Sequence, residues 1–342
     1  MSLNVYQVKN QYQFDIFLNM SQTIYYDDPF WPAPPPSETA QQLLNIPRKD
    51  VNLYVAVNNN AVIGRVAGML NNTLADKNTA IFGYFECIND PNAASALMKA
   101  VESWANDKGC RYLTGPVCYN TNDSIGILVD GFHLPPQFGM PYNHYYYQTL
   151  LEQSGYHKYF DLLAYRWSAN HPMPEKLKRI AKGAQKTPGL VLRPFNLHFP
   201  KREAQILVKV HNQTMEGNWG AETLTVSDAI HYLNSYRSFA DPDLLLTVII
   251  NGEPAGICLT IPNLSAKYHS CRVAVLGVVP KFRTKGIAAL LIYETMLRLI
   301  KKGYQEAELS LIMENNTMMN RILRDTLKFD IIKRFRVYRK EL

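Results

Sequence analysis

Two stretches of this chain share one layout, and that repetition limits its possible folds more than any other feature. LYVAVNNNAVIGRVAGML (53–70) and LLLTVIINGEPAGICLTI (244–261) each read as a strand, a polar turn and a second strand. In the second, Asn251-Gly252 is the hairpin turn. A third apolar run follows each, AIFGYFECI (80–88) and CRVAVLGVV (271–279). A helix comes next in both halves. ASALMKAVESWANDKG places Leu97, Val101, Trp104 and Ala105 on one face. IAALLIYETMLRLIKKG turns Ile287, Leu290, Leu291 and Leu297 inward and Glu294, Arg298, Lys301 and Lys302 outward. Both helices stop at Lys-Gly, Lys108-Gly109 and Lys302-Gly303. A further strand follows each, CRYLTGPV and EAELSLIM, and each half closes with a helix and a last strand, at 145–167 and 318–340.

The pattern predicts two copies of one α/β unit, each a mixed sheet flanked by helices. The first copy spans 1–167, a polar and basic linker with a short helix spans 168–189, and the second copy spans 190–342. The first copy carries DDPFWPAPPPSE (27–38), too rich in proline for regular helix, and a loop-like insertion at 118–144. With 342 residues, 47% of them hydrophobic and 19% charged, the chain has the profile of a packed protein. Its longest apolar run, LLLTVII, has the length of a strand and not of a membrane span, and its first residues lack the pattern of a secretion signal. The five cysteines include no CxxC pair and most lie in strand-like runs, which fits reduced, buried thiols in the cytoplasm. The eight histidines form no HxxxH pair, so no metal site is expected. The net charge of +7 fits either a solubilising surface or a phosphorylated small ligand; no RGG or RNP pattern points to nucleic acid.

The segment VVPKFRTKGIAALL (278–291) joins the third strand of the second copy to its helix. Lys281, Arg283 and Lys285 alternate along it, and Gly286 precedes the helix. A helix start offers four free amides and the positive end of the dipole. A glycine there lets backbone approach a ligand, so successive amides can surround phosphate oxygens. A diphosphate is the expected partner. The first copy has NDPNAASA at the matching place, with Asp90, a proline and no glycine or cation, and is expected to repel a diphosphate.

R-T-K-G-I-A (283–288) after V-V-P resembles the acyl-CoA turn of the GNAT acetyltransferase superfamily, and E-N-N-T-M-M-N-R (314–321) resembles the strand end and helix that follow it there. DDPFW, the insertion, KYFDLLAYRW and VYRK extend the likeness to bacterial two-repeat GNAT-like proteins over nearly the whole chain. The resemblance implies two tandem GNAT folds, with one site for acetyl-CoA or another acyl-CoA in the second copy. Arg283, Thr284, Lys285, Gly286, Ile287 and Ala288 would hold the diphosphate. Leu276, Gly277, Val278 and Val279 would pair with pantetheine as an added strand. Asn316 and Met319 would flank the arm; Asn316 reads equally as a helix cap.

Acyl transfer to an amine needs a base, a polarised carbonyl and an acid for the leaving thiolate. Glu308 and Glu314 bracket one strand and are the candidate bases, or solvent-facing charges. Backbone N–H of Val278 or Val279 is the candidate to polarise the carbonyl. The helix where many GNAT enzymes carry an acidic tyrosine, MMNRILRDTLKF, has none; Tyr293 of the preceding helix and Tyr338 of the last strand are the displaced candidates, with Tyr338 taken first. On the acceptor side stand Asn120, Asn122, Asp123 and Tyr142 of the insertion and Trp219 after the helix at 200–216. The expectation is direct transfer to a small-molecule or peptide amine, with no membrane partner and a homodimer left open. A CoA-binding sensor and a Fem-type aminoacyl-tRNA-dependent transferase are the rival readings.

Overall fold

A computed structural model describes residues 3–71, 76–118, 124–263 and 269–342. The chain divides into two compact units. The first is Met1–Leu162 with Lys333–Leu342, and the second is Leu163–Ile332.

The first unit opens with β1 (Leu3–Gln7), α1 (Gln11–Ile24) and α2 (Pro36–Leu44). β2 (Val51–Asn58), β3 (Ala61–Leu70), β4 (Thr79–Cys87), α3 (Pro91–Asp107) and β5 (Tyr112–Gly115) follow. β1 to β4 pair antiparallel in order, and β4 pairs β5 parallel across the α3 crossover. The β2–β3 hairpin turns on Asn59 and Asn60, both in the left-handed region that asparagine tolerates (φ 50° and 65°). Asp90 caps α3, and Leu97, Met98, Val101, Trp104 and Ala105 form its buried stripe. The described part of the 118–144 stretch contains short strands as well as loop. It holds β6 (Val117–Cys118), β7 (Ser124–Ile125) and β8 (Ile127–Asp130), and α4 (Tyr147–Gln153) and β9 (His157–Ser168) come after it. The unit is completed by residues 333–341 of the last strand, which run antiparallel to β5 (Tyr338 opposite Gly115) and to β8 (Phe335 opposite Leu128).

The second unit contains α5 (Glu175–Gln185), β10 (Leu190–Pro194), α6 (Pro200–Met215), α7 (Val226–Tyr236), β11 (Leu245–Ile250) and β12 (Glu253–Pro262). These lead to β13 (Ser270–Val278), α8 (Ile287–Lys301), β14 (Glu306–Met313), α9 (Thr317–Asn320) and β15 (Asp330–Glu341). β10 to β13 pair antiparallel in order, and β13 pairs β14 parallel across α8. The β11–β12 hairpin turns on Asn251-Gly252, both at positive φ, as their sequence requires. Gly303 ends α8 at φ 80°. Thr225 and Asp228 form a reciprocal capping box at the start of α7. α5 lies where sequence reads as a linker; Leu177, Ala181 and Ala184 are buried in the core of the second unit. One inward residue is corrected. Leu297 is 40% exposed, and Thr295, Met296 and Leu299 are buried instead. At 100° per residue, Leu297 falls just outside the arc that Ile287, Leu291 and Thr295 centre.

All five cysteines are free thiols, four of them buried. Burial pushes the Cys258 thiol up to about 11 and Cys271 to about 12.

Candidate active site

The site is built where β13 stops pairing with β14. The parallel ladder covers Ser270–Val273 against Glu306–Leu309 and ends there, although both strands continue. Beside the ladder end, β13 has one residue more than β12, because Leu259 faces Val275 while Thr260 faces Val273. The extra residue, Ala274, is a β-bulge, which turns the strand and shifts its face alternation. Val273 and Leu276, three apart, therefore line one cavity beneath α8.

Past the bulge, β13 offers backbone on its open edge. The Val279 amide donates to the Ala255 carbonyl at 3.0 Å, so it is not available to polarise a bound carbonyl. Donors alternate sides along a strand, so the Val278 amide points to the open edge. Its carbonyl accepts from Arg283 Nε at 3.3 Å. Gly277 lies against α6, where a Cβ would stand 2.9 Å from Thr214 Oγ1.

The turn itself is a short 3₁₀ segment, Pro280–Lys285, anchored by buried Phe282. Gly286 follows at φ 72°, in the left-handed region, and its carbonyl accepts the first helical bond of α8, from Leu290. The amides of the first turn of α8 have no acceptor within that helix. Lys281 pairs with Glu253, while Arg283, Thr284 and Lys285 are exposed around the turn. Ile287 is buried in the core and Ala288 is half-buried.

A buried polar network occupies the ladder end. Arg272 and Glu308 are direct partners across β13 and β14. Glu308, 3% exposed, accepts from Ser310 Oγ at 2.8 Å. Arg272 donates from Nε to Ser310 Oγ (3.2 Å) and from one terminal nitrogen to the Ser310 carbonyl (3.3 Å). Burial lowers the Arg272 pKa, and the Glu308 charge opposes that. Ser310 is the first β14 residue beyond the ladder. Sequence reading did not select Arg272 or Ser310; the signal was an arginine inside the apolar run CRVAVLGVV.

The other candidates fall in three places. Glu314 lies beyond the end of β14, half-buried, and its carbonyl accepts from Asn320 Nδ2 at 3.1 Å. Asn316 caps α9, its Oδ1 accepting from the Met319 amide at 3.1 Å, and Met319 is half-buried behind it. Asn320, also missed, is buried and accepts from Tyr165 OH at 2.9 Å. Trp219 is half-buried in the segment between α6 and α7. Tyr338 belongs to the first unit's core, where its hydroxyl donates to Glu152 Oε1 at 3.0 Å and burial, then the Glu152 charge, raises its pKa. Tyr142, also of the first unit, donates to Asp28 Oδ2 at 2.6 Å. Asn120, Asn122 and Asp123 lie outside the described residues.

The first unit's matching place differs in two ways. Asp90 Oδ1 accepts from the Asn92 amide (2.8 Å) and the Ala93 amide (3.3 Å), so donors that would meet an anion are already satisfied. The strands are also pressed together. A Cβ on Gly83 would stand 1.9 Å from the Val117 carbonyl oxygen, and one on Gly115 would stand 2.2 Å from that of Phe82.

The cavity beneath α8 has a volume of about 20 Å³. The last ladder pair, Val273 and Leu309, lines it with Leu276, Met296, Phe329 and Trp167. Trp167 Nε1 is buried there with no hydrogen-bond partner among the described residues. Among the described residues no group of three or more His, Cys, Asp or Glu is placed to hold a metal, and no helix is long and apolar enough to cross a membrane.

No family model matches the chain. Among curated proteins it is 26% identical to protein YghO of Escherichia coli, over 97% of this chain and 94% of that one. It is 26% identical to the bacterial ceramide synthase of Caulobacter vibrioides, over 99% of this chain and 98% of that one. Among solved structures it is similar to a tandem GNAT protein from the clavulanic acid biosynthesis pathway, with a TM-score of 0.60 at 13% identity over 99% of this chain and 98% of that one. A GCN5-related N-acetyltransferase from Sphaerobacter thermophilus gives a TM-score of 0.55 at 16% identity over 98% and 95%. With a bulged strand splaying from its parallel neighbour, a glycine-led helix start at the splay and the same unit order twice along the chain, this protein has the tandem GNAT fold.

Proposed function

We propose that the second unit is an acyl-CoA-dependent N-acyltransferase site and that the first unit is a structural or substrate-holding copy without a CoA site. The observation that carries this reading is the asymmetry between the units. In the second, the strands part beside a left-handed glycine and open helix amides. In the first, backbone atoms close the wedge and Asp90 occupies the amides. The diphosphate rests on the amides of 283–288, with Arg283 and Lys285 adding attraction, and Gly286 admits the backbone contact. Pantetheine runs along the open edge of Leu276–Val278 as an added strand, and Asn316 and Met319 border it. The thioester then lies near the ladder end, where the Val278 amide polarises its carbonyl.

The amine nitrogen attacks the carbonyl carbon, and a tetrahedral intermediate forms. The C–S bond breaks, the amide forms, the nitrogen gives up a proton and the thiolate takes one. Glu308, linked to Ser310 at the ladder end, is the base in this reading, and Glu314 beyond the strand is the second candidate. Tyr338 has no step here. The acceptor is an amine, approached from the side of Trp219. One relative is named a ceramide synthase, an activity that joins an acyl group to the amine of a long-chain base, so long-chain amino alcohols are the first acceptors to screen. The reaction is placed in the cytoplasm, where acyl-CoA is available.

The test is titration calorimetry with acetyl-CoA, palmitoyl-CoA and CoA on the wild type and on Gly286→Glu, followed by thiol release in the presence of candidate amines. The expected result is binding by the wild type that the substitution abolishes, and thiol release with at least one amine. Absence of binding by the wild type refutes the acyl-CoA reading. Binding with no thiol release for any amine favours a CoA sensor, the reading that the missing tyrosine in 317–326 supports.

A further inference from the structure

Leu309 lines the cavity beneath α8, as do Val273 and Leu276. Side chains alternate along a strand, so Glu308 and Ser310, on either side of Leu309, point to the opposite face of the sheet, and so does Arg272 beside Val273. α6 packs on that face. Gly277, next to Leu276, meets Thr214 of α6, and Tyr236 at the end of α7 acts on Arg272 through its charge. Trp219, on whose side the acceptor was placed above, lies in the segment that joins α6 to α7. Glu308 is screened from an amine at the splay. It is buried, it sits inside the ladder opposite Arg272, and the last pair, Val273 and Leu309, stands between it and the parted strands. Ser310, also buried, is the first residue past that pair. Its oxygen accepts from Arg272 Nε at 3.2 Å, so its own hydrogen is the one that Glu308 Oε1 receives at 2.8 Å. A hydroxyl carries one donor hydrogen and two acceptor lone pairs, so it can take a proton on one side as it gives one up on the other.

We propose that Ser310 is a catalytic residue, the relay that carries the acceptor's proton to Glu308. In this step an N–H bond of the amine breaks and a new Oγ–H bond forms on Ser310. The serine's original Oγ–H bond breaks at the same time, and an Oε1–H bond forms on Glu308. The electron pair of the broken N–H bond stays on nitrogen. Serine ends as it began, and Glu308 ends as a neutral acid that returns its proton to solvent by the same path once product has left. The relay rests on the acyltransfer reading with Glu308 as its base, and it names the group that the acceptor nitrogen touches.

The test measures thiol release from palmitoyl-CoA and acetyl-CoA, with sphinganine as the first acceptor, for the wild type, Ser310→Ala, Ser310→Thr, Glu308→Gln and Ser310→Ala/Glu308→Gln. Thermal unfolding and calorimetry with CoA verify that each variant is folded and binds. Ser310→Ala is expected to lower kcat by about 10²-fold at neutral pH, the low end of what acid–base groups contribute, with KM and CoA affinity unchanged. Ser310→Thr keeps a hydroxyl and regains most of the rate. The double variant is no slower than Glu308→Gln alone, because two groups that move one proton act as a unit. An O-alkyl hydroxylamine, whose nitrogen is uncharged at neutral pH, narrows the deficit of Ser310→Ala. Should Ser310→Ala not fold, Ser310→Cys, a weaker donor of nearly the same size, is expected to show the same loss in kcat alone. An unchanged rate in Ser310→Ala, or losses that multiply in the double variant, overturns the relay and leaves the acyltransfer reading standing. No thiol release by the wild type with any amine overturns both.

Discussion

Replacing Gly286 by alanine separates two costs that the structure assigns to one methyl group. The first is conformational. Gly286 sits at φ 72°, and a non-glycine residue in the left-handed region costs about 1–2 kcal/mol. The second is steric. The new Cβ would stand 2.9 Å from Ile180 Cγ2, closer than carbon atoms pack. The clash is with the end of a side chain that is 39% exposed, so Ile180 can move, at about 0.5–1.5 kcal/mol for an off-rotamer position. Gly286→Ala is expected to destabilise the second unit by about 2–3 kcal/mol, which lowers its melting temperature by about 2–4 °C per kcal/mol. Urea unfolding reads the total, and the same substitution in an Ile180→Ala background reads the conformational part alone, about 1–2 kcal/mol. A Gly286→Ala variant as stable as the wild type would refute the left-handed assignment. An equal cost in both backgrounds would refute the contact with α5.

Two further outcomes test the first unit. Burial pushes the Asp161 carboxyl up, but hydrogen bonds from Arg336 (2.8 Å) and the nearby Lys158 (3.1 Å) outweigh it and hold the pKa below the ordinary carboxylate value. A depressed native pKa stabilises the fold above the unfolded value of about 3.9 and stops doing so as pH falls through the native one. Asp161→Asn is expected to cost about 2–3 kcal/mol at pH 7, and that difference from wild type should shrink in urea titrations as pH falls below the unfolded value of about 3.9; a cost independent of pH would contradict the assignment. Gly83→Ala drives a Cβ to 1.9 Å from a backbone oxygen, whereas Gly277→Ala meets a threonine side chain at 2.9 Å. Thermal unfolding should find the first substitution costlier by at least about 2 kcal/mol, and equal costs would show that the first unit's wedge is open.

Local chemistry made much of this fold legible. Asn251-Gly252 and the Lys-Gly helix stops need only their own backbone angles, so neighbouring residues specify them. The glycine-led turn at 286 was readable for the same reason. What escaped were features made by pairing between distant segments. The bulge at Ala274 exists because β12 and β13 differ by one residue in register, which no window of CRVAVLGVV records. Arg272, Glu308 and Ser310 meet because two strands lie side by side, although they are far apart in the chain. The short helix expected within 168–189 is α5, but its burial escaped because its charges mask the spacing of Leu177, Ala181 and Ala184, three and four apart. Val279 looked available until its amide was found on Ala255.

The assignment of residues 333–342 to the first unit sets an order on biosynthesis. Every residue of the second unit leaves the ribosome before the strand that closes β5 and β8 of the first. The first unit is made first and finished last. While translation proceeds at about 5–20 residues per second, the β5 edge stays uncovered for the whole synthesis of the second unit, a lapse on the order of ten seconds. A nascent chain in that interval exposes an unpaired strand edge, which is where chaperone binding or pairing with a neighbouring nascent chain would act. Ribosome-stalled chains released just short of Lys333 would carry a second unit able to fold and a first unit still lacking its last strand.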